Sequence, residues 1–410
     1  MLKIVHTSDW HLGRRLYGRS RYDEHEAFLK WLADVIEKER ADVLLVAGDV
    51  FDSGTPGNRA QELYYGFLFR VASSGCRHVV IIAGNHDSPS FLDAPRSLLK
   101  SLEIHVTGSA ADDPGDEVLV LRDTEGEPEL VVCAVPFLRD RDVRVAEMGE
   151  SPAEKERKLV EGIRKHYEAV FDRALELGKE ADLDVPMVAM GHLFTAGGRV
   201  GEDDGVRELY VGSLVRVAPG MFPRYLDYVA LGHLHVPQAA GEAPPVRYSG
   251  SPLPMSFGEA GRTKSVCLVE IGDGKPRIGF PEVPVFRELV RIEGDWTVIS
   301  GTIDSLRERD SDAWLEVIYR GDRVMGDLRE KLETALEGSR LEVLRIRNDR
   351  IVRSVLGSMR EGESLEDLGP EEVFERCLDA HEVPVEQRDE LMRAYREIIA
   401  GLDDGERETP

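Results

Sequence analysis

The sequence predicts an α/β protein: a layered sandwich of sheets and helices, then a small βαβαβ cap domain, then a C-terminal helical segment. Three observations support this class. In the first part of the chain, short apolar runs alternate with amphipathic helical patterns. Near Phe286 this alternation restarts on a smaller scale, and beyond Gly362 only helical signals remain. We therefore expect three parts, at residues 1–284, 285–357 and 358–410.

The first part is expected to begin with a strand at 2–6. The alternating elements that should follow are a helix at 24–39, a strand at 43–47, a helix at 58–72 and a strand at 78–83. Two stretches rich in Gly and Asp, 108–116 and 197–205, are typical of loops, and a long charged helix is expected between them at 152–178. The later strands of this part are expected at 185–190, 228–231, 246–248 and 265–271.

The cap domain is expected to hold three strands, at 287–292, 314–319 and 341–346, with helices at 301–308 and 325–336. Apolar alternation in the strands predicts one sheet face covered by the helices. After it, Gly369-Pro370 indicates the start of one helix and a second is expected at 385–401, before a polar tail. The apolar stripe of that last helix fits packing on its own domain as well as docking to a partner; it comprises Leu391, Met392, Tyr395, Ile398, Ile399 and Leu402.

Composition narrows the class of protein. No apolar stretch of the 410 residues reaches the roughly 18 needed to cross a membrane, and Met1 leads directly into a strand, so a cytoplasmic protein is expected. The four cysteines are far apart and are expected to be small buried hydrophobes. The net charge of -25 is the opposite of the basic balance typical of nucleic-acid binders, and residues 361–410 alone carry 17 acidic against 5 basic side chains. We expect this segment to avoid DNA.

Five short polar signatures follow apolar runs in a fixed order. They are Asp9-Trp10-His11, Gly48 to Asp52, Gly84-Asn85-His86-Asp87, Gly191-His192 and Gly232-His233-Leu234-His235. Two metal ions need about seven or eight donors, and the imidazoles, carboxylates and one amide here suit manganese, iron or zinc. The expected ligands are Asp9, His11, Asp49, Asn85, His192, His233 and His235. The signatures therefore predict a two-metal phosphoesterase in which His86 is the one signature histidine that is not counted among the ligands.

This ordered set resembles the calcineurin-like metallophosphoesterase superfamily, whose pattern is DxH, GDxxD, GNHD, GH and GHxH. Longer stretches resemble the SbcD family of nuclease subunits in particular. They are His6 to Gly13, Ala47 to Asp52, Pro136 to Arg139 and Arg247 to Pro252. The likeness runs from Met1 to roughly Leu402.

The resemblance implies a role for each signature residue. Asp9, His11, Asp49 and His235 would hold one ion, and Asp49, Asn85, His192 and His233 the other, so that Asp49 is shared. His86 would protonate the leaving oxygen, and the Asp52 carboxylate would orient the imidazole ring of His86. The resemblance implies two divalent ions, manganese first among them.

Other polar residues leave alternatives open. Arg14, Arg15 and Arg19 follow the first signature and are candidates for steering DNA, but an ordinary solvated loop has the same composition. Asn58 and Ser251 are further candidates for the DNA groove, although each is equally compatible with turn chemistry. The histidines outside the signatures are expected to be hydrogen-bonded structural residues; they are His6, His25, His78, His105, His166 and His381.

The resemblance implies a manganese-dependent DNA nuclease, a double-strand exonuclease and single-strand endonuclease in DNA end and hairpin processing. It further implies an SbcC-type ABC ATPase partner, a homodimer within a heterotetramer, and no membrane. One alternative is a small-molecule phosphodiesterase or phosphoprotein phosphatase that uses the same metal site. Another is a scaffold that recruits the ATPase and keeps a vestigial pocket, which the intact donor set disfavours.

Overall fold

The protein divides into two units, Met1–Phe286 and Arg287–Pro410. The sequence suggests a first boundary between residues 284 and 285; the second expected boundary, at 357/358, lies outside the described residues. The computed structural model describes residues 1–145, 147, 149–180, 184–195, 216–272, 274–321, 325, 327–348, 370–380, 388–389, 391–393 and 395–396.

The first unit contains two six-stranded sheets. The first sheet has four consecutive parallel strands and is completed by two antiparallel ones. Its strands, in spatial order, are Arg277–Gly279, Cys267–Ile271, Leu2–Thr7, Val43–Ala47, His78–Ile82 and Ile104–Thr107. The second sheet is parallel at its centre and antiparallel at both edges. Its order is Gln238–Glu242, Pro245–Tyr248, Tyr228–Gly232, Met187–His192, Pro128–Ala134 and Val118–Arg122.

The two sheets pack face to face through a largely apolar core that contains a hydrogen bond between His6 Nδ1 and the Tyr228 hydroxyl at 2.9 Å. Alternate residues such as Val43 and Leu45 of the first sheet join Val188 and Met190 of the second, and all four are inaccessible to solvent. The outer face of the first sheet packs on the helices Tyr22–Glu39 and Asn58–Ala72, and that of the second on the helix Pro152–Glu180. The layers are therefore helix, sheet, sheet, helix, which confirms the predicted sandwich.

Several strands are absent from the sequence-based prediction. They are Ile104–Thr107, Val118–Arg122, Pro128–Ala134, Gln238–Glu242 and Arg277–Gly279. Most lie at sheet edges, where half-exposed residues weaken the apolar pattern. The buried strand Pro128–Ala134 begins with a proline, a residue that is tolerated at the first position of a strand but argues against a strand elsewhere.

Short additional elements complete the unit. The helices are Pro89–Asp93, Arg96–Lys100 and Asp140–Val143. The two-residue strands are Arg15–Leu16, Arg19–Ser20, Phe194–Thr195, Arg216–Val217, Lys264–Ser265 and Glu282–Val283.

The second unit contains the predicted βαβαβ cap. Its parallel strands are Leu289–Gly294, Trp314–Tyr319 and Glu342–Asn348, and its helices are Trp296–Glu308 and Leu328–Leu336. The first helix begins before the predicted residue 301 because the Asp295 carboxylate accepts the backbone N–H of Val298 at 3.0 Å, an N-terminal cap.

Beyond the cap, a helix runs from Pro370 to Ala380, starting at the predicted proline. The helix expected at 385–401 lies largely outside the described residues, although Tyr395 of its apolar stripe stacks on Phe374 with ring centroids 4.1 Å apart. Cys76, Cys133 and Cys267 are buried free thiols, as expected. Within the described parts of the chain, none of the helices has the length and hydropathy that a membrane crossing requires.

Candidate metal centre

Loops from both sheets bring the predicted ligands to one end of the sandwich. The first sheet contributes Asp9 and His11 after Leu2–Thr7, Asp49 after Val43–Ala47, and Asn85 after His78–Ile82. His192 ends the strand Met187–His192 of the second sheet, and His233 and His235 follow Tyr228–Gly232. These segments leave the carboxyl ends of parallel strands, where open α/β sheets place their sites.

The first group of donors consists of Asp9, His11 and His235. One donor atom from each lies within 4.8 Å of the others, and all three residues are buried. The Nε2 atoms of His11 and His235 face each other at 3.2 Å. The Asp9 carboxylate is fixed by the Ser8 hydroxyl at 2.5 Å and by the backbone N–H of His233 at 3.0 Å. A cation would turn these converging buried atoms into one coordination shell.

The second group centres on the Asn85 amide. Its Oδ1 lies 3.0 Å from His192 Nε2 and 3.0 Å from His233 Nδ1. The Nδ1–H of His192 is donated to the backbone carbonyl of Ala47 at 2.9 Å. This bond fixes the ring so that Nε2 points into the group, as is usual for histidines that bind metals.

Asp49 lies between the two groups. Its Oδ2 is 3.6 Å from His11 Nε2 and 3.4 Å from His192 Nε2, while Oδ1 accepts the backbone N–H of His86 at 2.9 Å. One oxygen is therefore anchored to the main chain, and the other faces donors of both groups. The donor set and its geometry fit a dinuclear metal site.

The imidazoles of the centre keep the Asp49 carboxylate ionised. Burial alone would raise the pKa of Asp49, but the imidazoles of His192 and His11 outweigh it and hold that pKa well below its usual value. Burial likewise opposes protonation of His192, yet the carboxylates of Asp49 and Asp9 raise its pKa to about 9, so a metal that binds at Nε2 would have to displace a proton from this ring. Burial lowers the pKa of His233 to about 3, so this ring is neutral and able to ligate at physiological pH.

Four expected ligands have left-handed backbone. The φ angles are 54° at Asp9, 47° at His11, 51° at Asp49 and 99° at His233. Non-glycine residues rarely adopt such angles, and strain of this kind concentrates at functional sites. The approach of the loops is so close that a Cβ at Gly84 would overlap the Asp49 carboxylate. No pattern in the sequence indicates this strain.

His86 lies beside the first group but is oriented differently from the expectation. Its ring is nearly perpendicular to that of His11, with centroids 4.8 Å apart. Its Nδ1 lies 3.0 Å from the backbone carbonyl of Asp52, whereas the Asp52 carboxylate lies 3.4 Å from His11 Nδ1 and 3.2 Å from Arg14 Nη1. The expectation that the Asp52 carboxylate orients His86 is therefore corrected: donor atoms of the two side chains lie within 4.8 Å of each other, but the hydrogen-bond partner of His86 Nδ1 is the Asp52 main-chain carbonyl, and the carboxylate pairs with His11 and Arg14.

The arginines after the first signature have different surroundings. Arg14 is partly buried and pairs with the Asp52 carboxylate. Arg15 is exposed and donates to the Gly18 carbonyl within a short hairpin, at 3.0 Å from Nε. Arg19 is exposed on the same hairpin. Arg15 and Arg19 thus remain candidates for DNA contact, whereas the guanidinium of Arg14 is paired with the Asp52 carboxylate.

The other two candidate DNA residues also differ from each other. Asn58 is exposed at the start of the helix Asn58–Ala72. Ser251 is completely buried, and its hydroxyl donates to the Leu253 carbonyl at 2.8 Å while accepting from Lys264. Ser251 is therefore inaccessible to DNA here, which corrects that expectation: its hydroxyl belongs to an internal hydrogen-bond network.

Two supporting residues were missed from the sequence. Asp87 is buried and accepts backbone N–H groups of Gly84 at 2.8 Å and Phe51 at 2.9 Å, which ties two ligand loops together. Its place in the Gly84–Asp87 signature was the available signal. Lys264 is also buried and donates to Glu259 at 2.7 Å and to the His235 carbonyl at 3.0 Å. No local sequence motif indicates that Lys264 contacts Glu259 and the His235 carbonyl.

Replacing Lys264 by methionine is expected to lower the free energy of unfolding by about 3–5 kcal/mol, because the Glu259 carboxylate would stay buried without its partner. Urea denaturation of the purified chain measures this. Lys38→Met is the control, since Lys38 is exposed and its pair with Glu39 spans 3.9 Å; it should change stability by less than about 0.5 kcal/mol. Equal effects of the two substitutions would contradict a structural role for the buried pair.

A cavity of about 310 Å³ adjoins the second group of donors. Its lining combines Asn85, His192 and His233 with the segment 136–140 and with apolar residues of the helix Pro152–Glu180. The basic side chains of Arg139 and Lys155 also line it. The sequence analysis assigned no role to Arg139 or Lys155, although Pro136 to Arg139 is one of the stretches that resemble the SbcD family. The cavity lies beside the expected metal ligands and is open to a ligand that the two cations could contact.

Comparison with known proteins agrees with this geometry. Residues 2–237 match the family described as calcineurin-like phosphoesterase, and residues 285–382 match the one described as type 5 capsule protein repressor C-terminal domain. The chain is 36% identical to the SbcD subunit of nuclease SbcCD from Escherichia coli K12 over 404 residues, 98% of each chain. It is 36% identical to the corresponding Rhodobacter capsulatus subunit over 82% of this chain and 84% of that one. Identity to the Bacillus subtilis subunit is 34%, over 78% and 79%.

Matches of this extent cover both units and all five signatures. The enzyme class follows from the phosphoesterase domain together with the intact donor set. The chain is a phosphodiester hydrolase of the calcineurin-like fold and belongs to the SbcD family.

Proposed function

We propose that this chain is the nuclease subunit of an SbcCD-type complex, a metal-dependent DNA nuclease that digests duplex ends and cuts single strands. The observation that carries the proposal is the convergence of Asp9, His11, Asp49, Asn85, His192, His233 and His235 on one buried centre. The full-length similarity to subunits named as nucleases favours DNA over other phosphodiesters.

Asp49 would be the ligand shared by both ions, with Asp9, His11 and His235 on one side and Asn85, His192 and His233 on the other. Manganese is the proposed metal because the resemblance to the SbcD family implies it, while the imidazole, carboxylate and amide donors also suit iron or zinc. When bound, two such ions supply Lewis acidity toward a phosphate oxygen and lower the pKa of a water that acts as the nucleophile.

His86 would supply the proton that the leaving 3′ or 5′ oxygen needs. Its Nδ1 faces the Asp52 carbonyl, so Nε2 is the nitrogen available to the substrate. A carbonyl partner holds the ring in one orientation just as a carboxylate would, without adding charge beside the ligands. His86 is therefore proposed as the general acid and the Asp52 backbone as its positioning group.

DNA would approach over the cavity beside the second group of donors. Arg139 and Lys155 line this cavity, and Arg15, Arg19 and Asn58 are exposed candidates for backbone contacts elsewhere on the unit. The chain as a whole carries a net charge of -25, so we propose that its partner provides much of the cationic surface for DNA.

The partner we propose is an SbcC-type ABC ATPase, contacted through the C-terminal helical segment, with two copies of this chain in a heterotetramer in the cytoplasm. The acidic balance of residues 361–410 supports a protein rather than DNA as the binding surface. Two residues of the apolar stripe on the last predicted helix have different surroundings: Leu391 is 39% exposed, whereas Tyr395 stacks on Phe374.

The test is a comparison of substrates. The full chain, with and without the ATPase subunit and ATP, is incubated with manganese and linear duplex DNA, single-stranded circles, a nucleotide diester or a phosphopeptide. We expect both DNA substrates to be cut, and the ATPase with ATP to accelerate duplex digestion. A chelator-treated sample is the control. Faster turnover of the phosphopeptide or the small diester would favour the alternative, a phosphatase or small-molecule phosphodiesterase.

A further inference from the structure

Two histidines outside the signatures converge on a glutamate at the opposite end of the first sheet. His78 begins the strand His78–Ile82, His105 lies in the neighbouring strand Ile104–Thr107, and Glu103 immediately precedes that strand. One donor atom of each lies within 4.8 Å of the others. We propose that His78, Glu103 and His105 form a separate zinc site, apart from the catalytic centre.

The hydrogen bonds of His78 decide which nitrogen is free. Its Nε2 lies 2.8 Å from the Arg122 carbonyl, which can only accept, so Nε2 carries the proton. In the neutral ring, Nδ1 then keeps a lone pair. This atom is buried and, within the described part of the chain, has no hydrogen-bond partner; it faces Glu103 Oε2 at 3.5 Å. A histidine that donates one nitrogen to a carbonyl and turns the other toward a carboxylate has the usual arrangement of a metal ligand.

His105 contributes a second unpaired ring nitrogen. Its Nε2 is also buried without a hydrogen-bond partner among the described residues, and it lies 3.7 Å from the same Oε2 of Glu103. Leaving two buried imidazole nitrogens unpaired costs free energy, whereas one cation would satisfy both. Both unpaired atoms are directed at one carboxylate oxygen, and this coincidence is the observation that points to an ion.

The distances suit a tetrahedral ion. Zinc bonds of about 2.0–2.1 Å at tetrahedral angles place ligand atoms about 3.4 Å apart. The observed separations of 3.5 and 3.7 Å lie just above this value, while a charged His–Glu hydrogen bond would be shorter, at about 2.8 Å. The Glu103 side chain is 61% exposed, so water can reach the fourth position.

Neighbouring groups do not compete for the role. Cys76 is close in sequence, but its thiol is directed at the His78 carbonyl at 3.4 Å, and burial raises its pKa to about 12, so it stays protonated. Glu129 Oε1 lies 3.7 Å from His78 Nε2, the nitrogen that does not face Glu103, and Glu129 is held by Arg77 in a two-point ion pair. Glu103 has a left-handed backbone with φ of 56°, a conformation that brings strain to the proposed ligand as it does in the catalytic centre.

The proposed site would join two parallel strands where they begin. The catalytic loop holding Asn85 follows the other end of His78–Ile82, about 17 Å away along a strand of this length. A zinc ion here would act on the stability of the sheet and not on the reacting atoms. Its presence is therefore separable from nuclease activity.

The test measures metal content and geometry in the full chain. Chelator-stripped protein is dialysed against buffered zinc and analysed by elemental mass spectrometry, and a parallel sample is titrated with cobalt and followed by visible absorption. We expect Glu103→Gln and His105→Gln each to bind one zinc fewer than wild type and to lose the intense bands of tetrahedral cobalt. Manganese-dependent hydrolysis of a nucleotide diester should stay unchanged, and zinc should raise the Tm of wild type by more than that of Glu103→Gln or His105→Gln, because each variant would keep only the zinc bound at the other centre.

His166→Gln is the matched control, because His166 also contacts one carboxylate, that of Glu117 at 2.9 Å, but belongs to no convergent group among the described residues. It should bind as much zinc as wild type. Circular dichroism verifies that each variant is folded, and Glu103→Gln changes an exposed side chain, so it retains the fold. Equal zinc content and identical cobalt spectra for wild type, Glu103→Gln and His105→Gln would overturn the proposal.

Discussion

Replacing Asp49 by asparagine is expected to abolish tight manganese binding at both positions and to slow DNA cleavage by a factor of at least about 10³. The reason is the position of Oδ2, within 3.6 Å of His11 Nε2 and 3.4 Å of His192 Nε2. An amide of the same shape can still accept the His86 N–H through Oδ1 but removes the negative charge that both ions would share. Calorimetric titration with manganese and initial rates on linear duplex DNA measure the two effects.

The control is Asp42→Asn. Asp42 is a partly buried carboxylate that accepts from the backbone of Lys3 at 2.8 Å and from Arg77 at 2.7 Å, and it lies before the strand Val43–Ala47 instead of after it. This variant should bind manganese and cleave DNA like wild type. If Asp49→Asn kept two tight manganese sites, Asp49 would not be the shared ligand.

Replacing His86 by asparagine is expected to leave manganese binding intact and to lower kcat on DNA by about 10²–10⁴-fold, the usual contribution of a general acid. The loss should depend on the leaving group. A diester of p-nitrophenol has a leaving oxygen that needs no proton, so its hydrolysis should fall much less than that of DNA. Rates on both substrates, together with the manganese isotherm, separate a proton donor from a ligand.

His166→Asn serves as the comparison, since His166 is a half-buried histidine paired with Glu117 in a different layer of the unit. Its rates should match wild type on both substrates. Equal losses for DNA and the p-nitrophenyl ester in His86→Asn would exclude proton donation, and a weakened manganese isotherm would reassign His86 to the ligands.

Much of this architecture follows from local patterns. Buried runs such as Val43 to Val46 determine the strands, and because parallel strands end at the same edge, polar residues after them had to meet. That logic was sufficient to place Asp9, Asp49 and Asn85 together without knowing the strand order. The same reasoning predicted the βαβαβ cap, whose strands and helices alternate clearly in sequence.

Contacts between residues that are distant in the chain could not be predicted in this way. The Asp52 carboxylate faces His11 and Arg14, which belong to another loop and lie near it only in the folded protein. The burial of Ser251 depends on its contact with Lys264, and the convergence of His78 with His105 depends on the pairing of two strands. None of these contacts leaves a periodic or compositional signal within one segment.

The left-handed backbone at the catalytic centre also affects how stability data on this enzyme should be used. Residues such as Asp9 and Asp49 hold conformations that cost about 1–3 kcal/mol each and that glycine would adopt freely. A glycine at either position would relieve that torsional cost, but it would also remove an expected metal ligand and leave a backbone N–H unpaired, that of His233 for Asp9 or that of His86 for Asp49. A melting curve would record only the sum of these opposing effects, so unchanged heat resistance would not show that the metal-binding end of the molecule is intact.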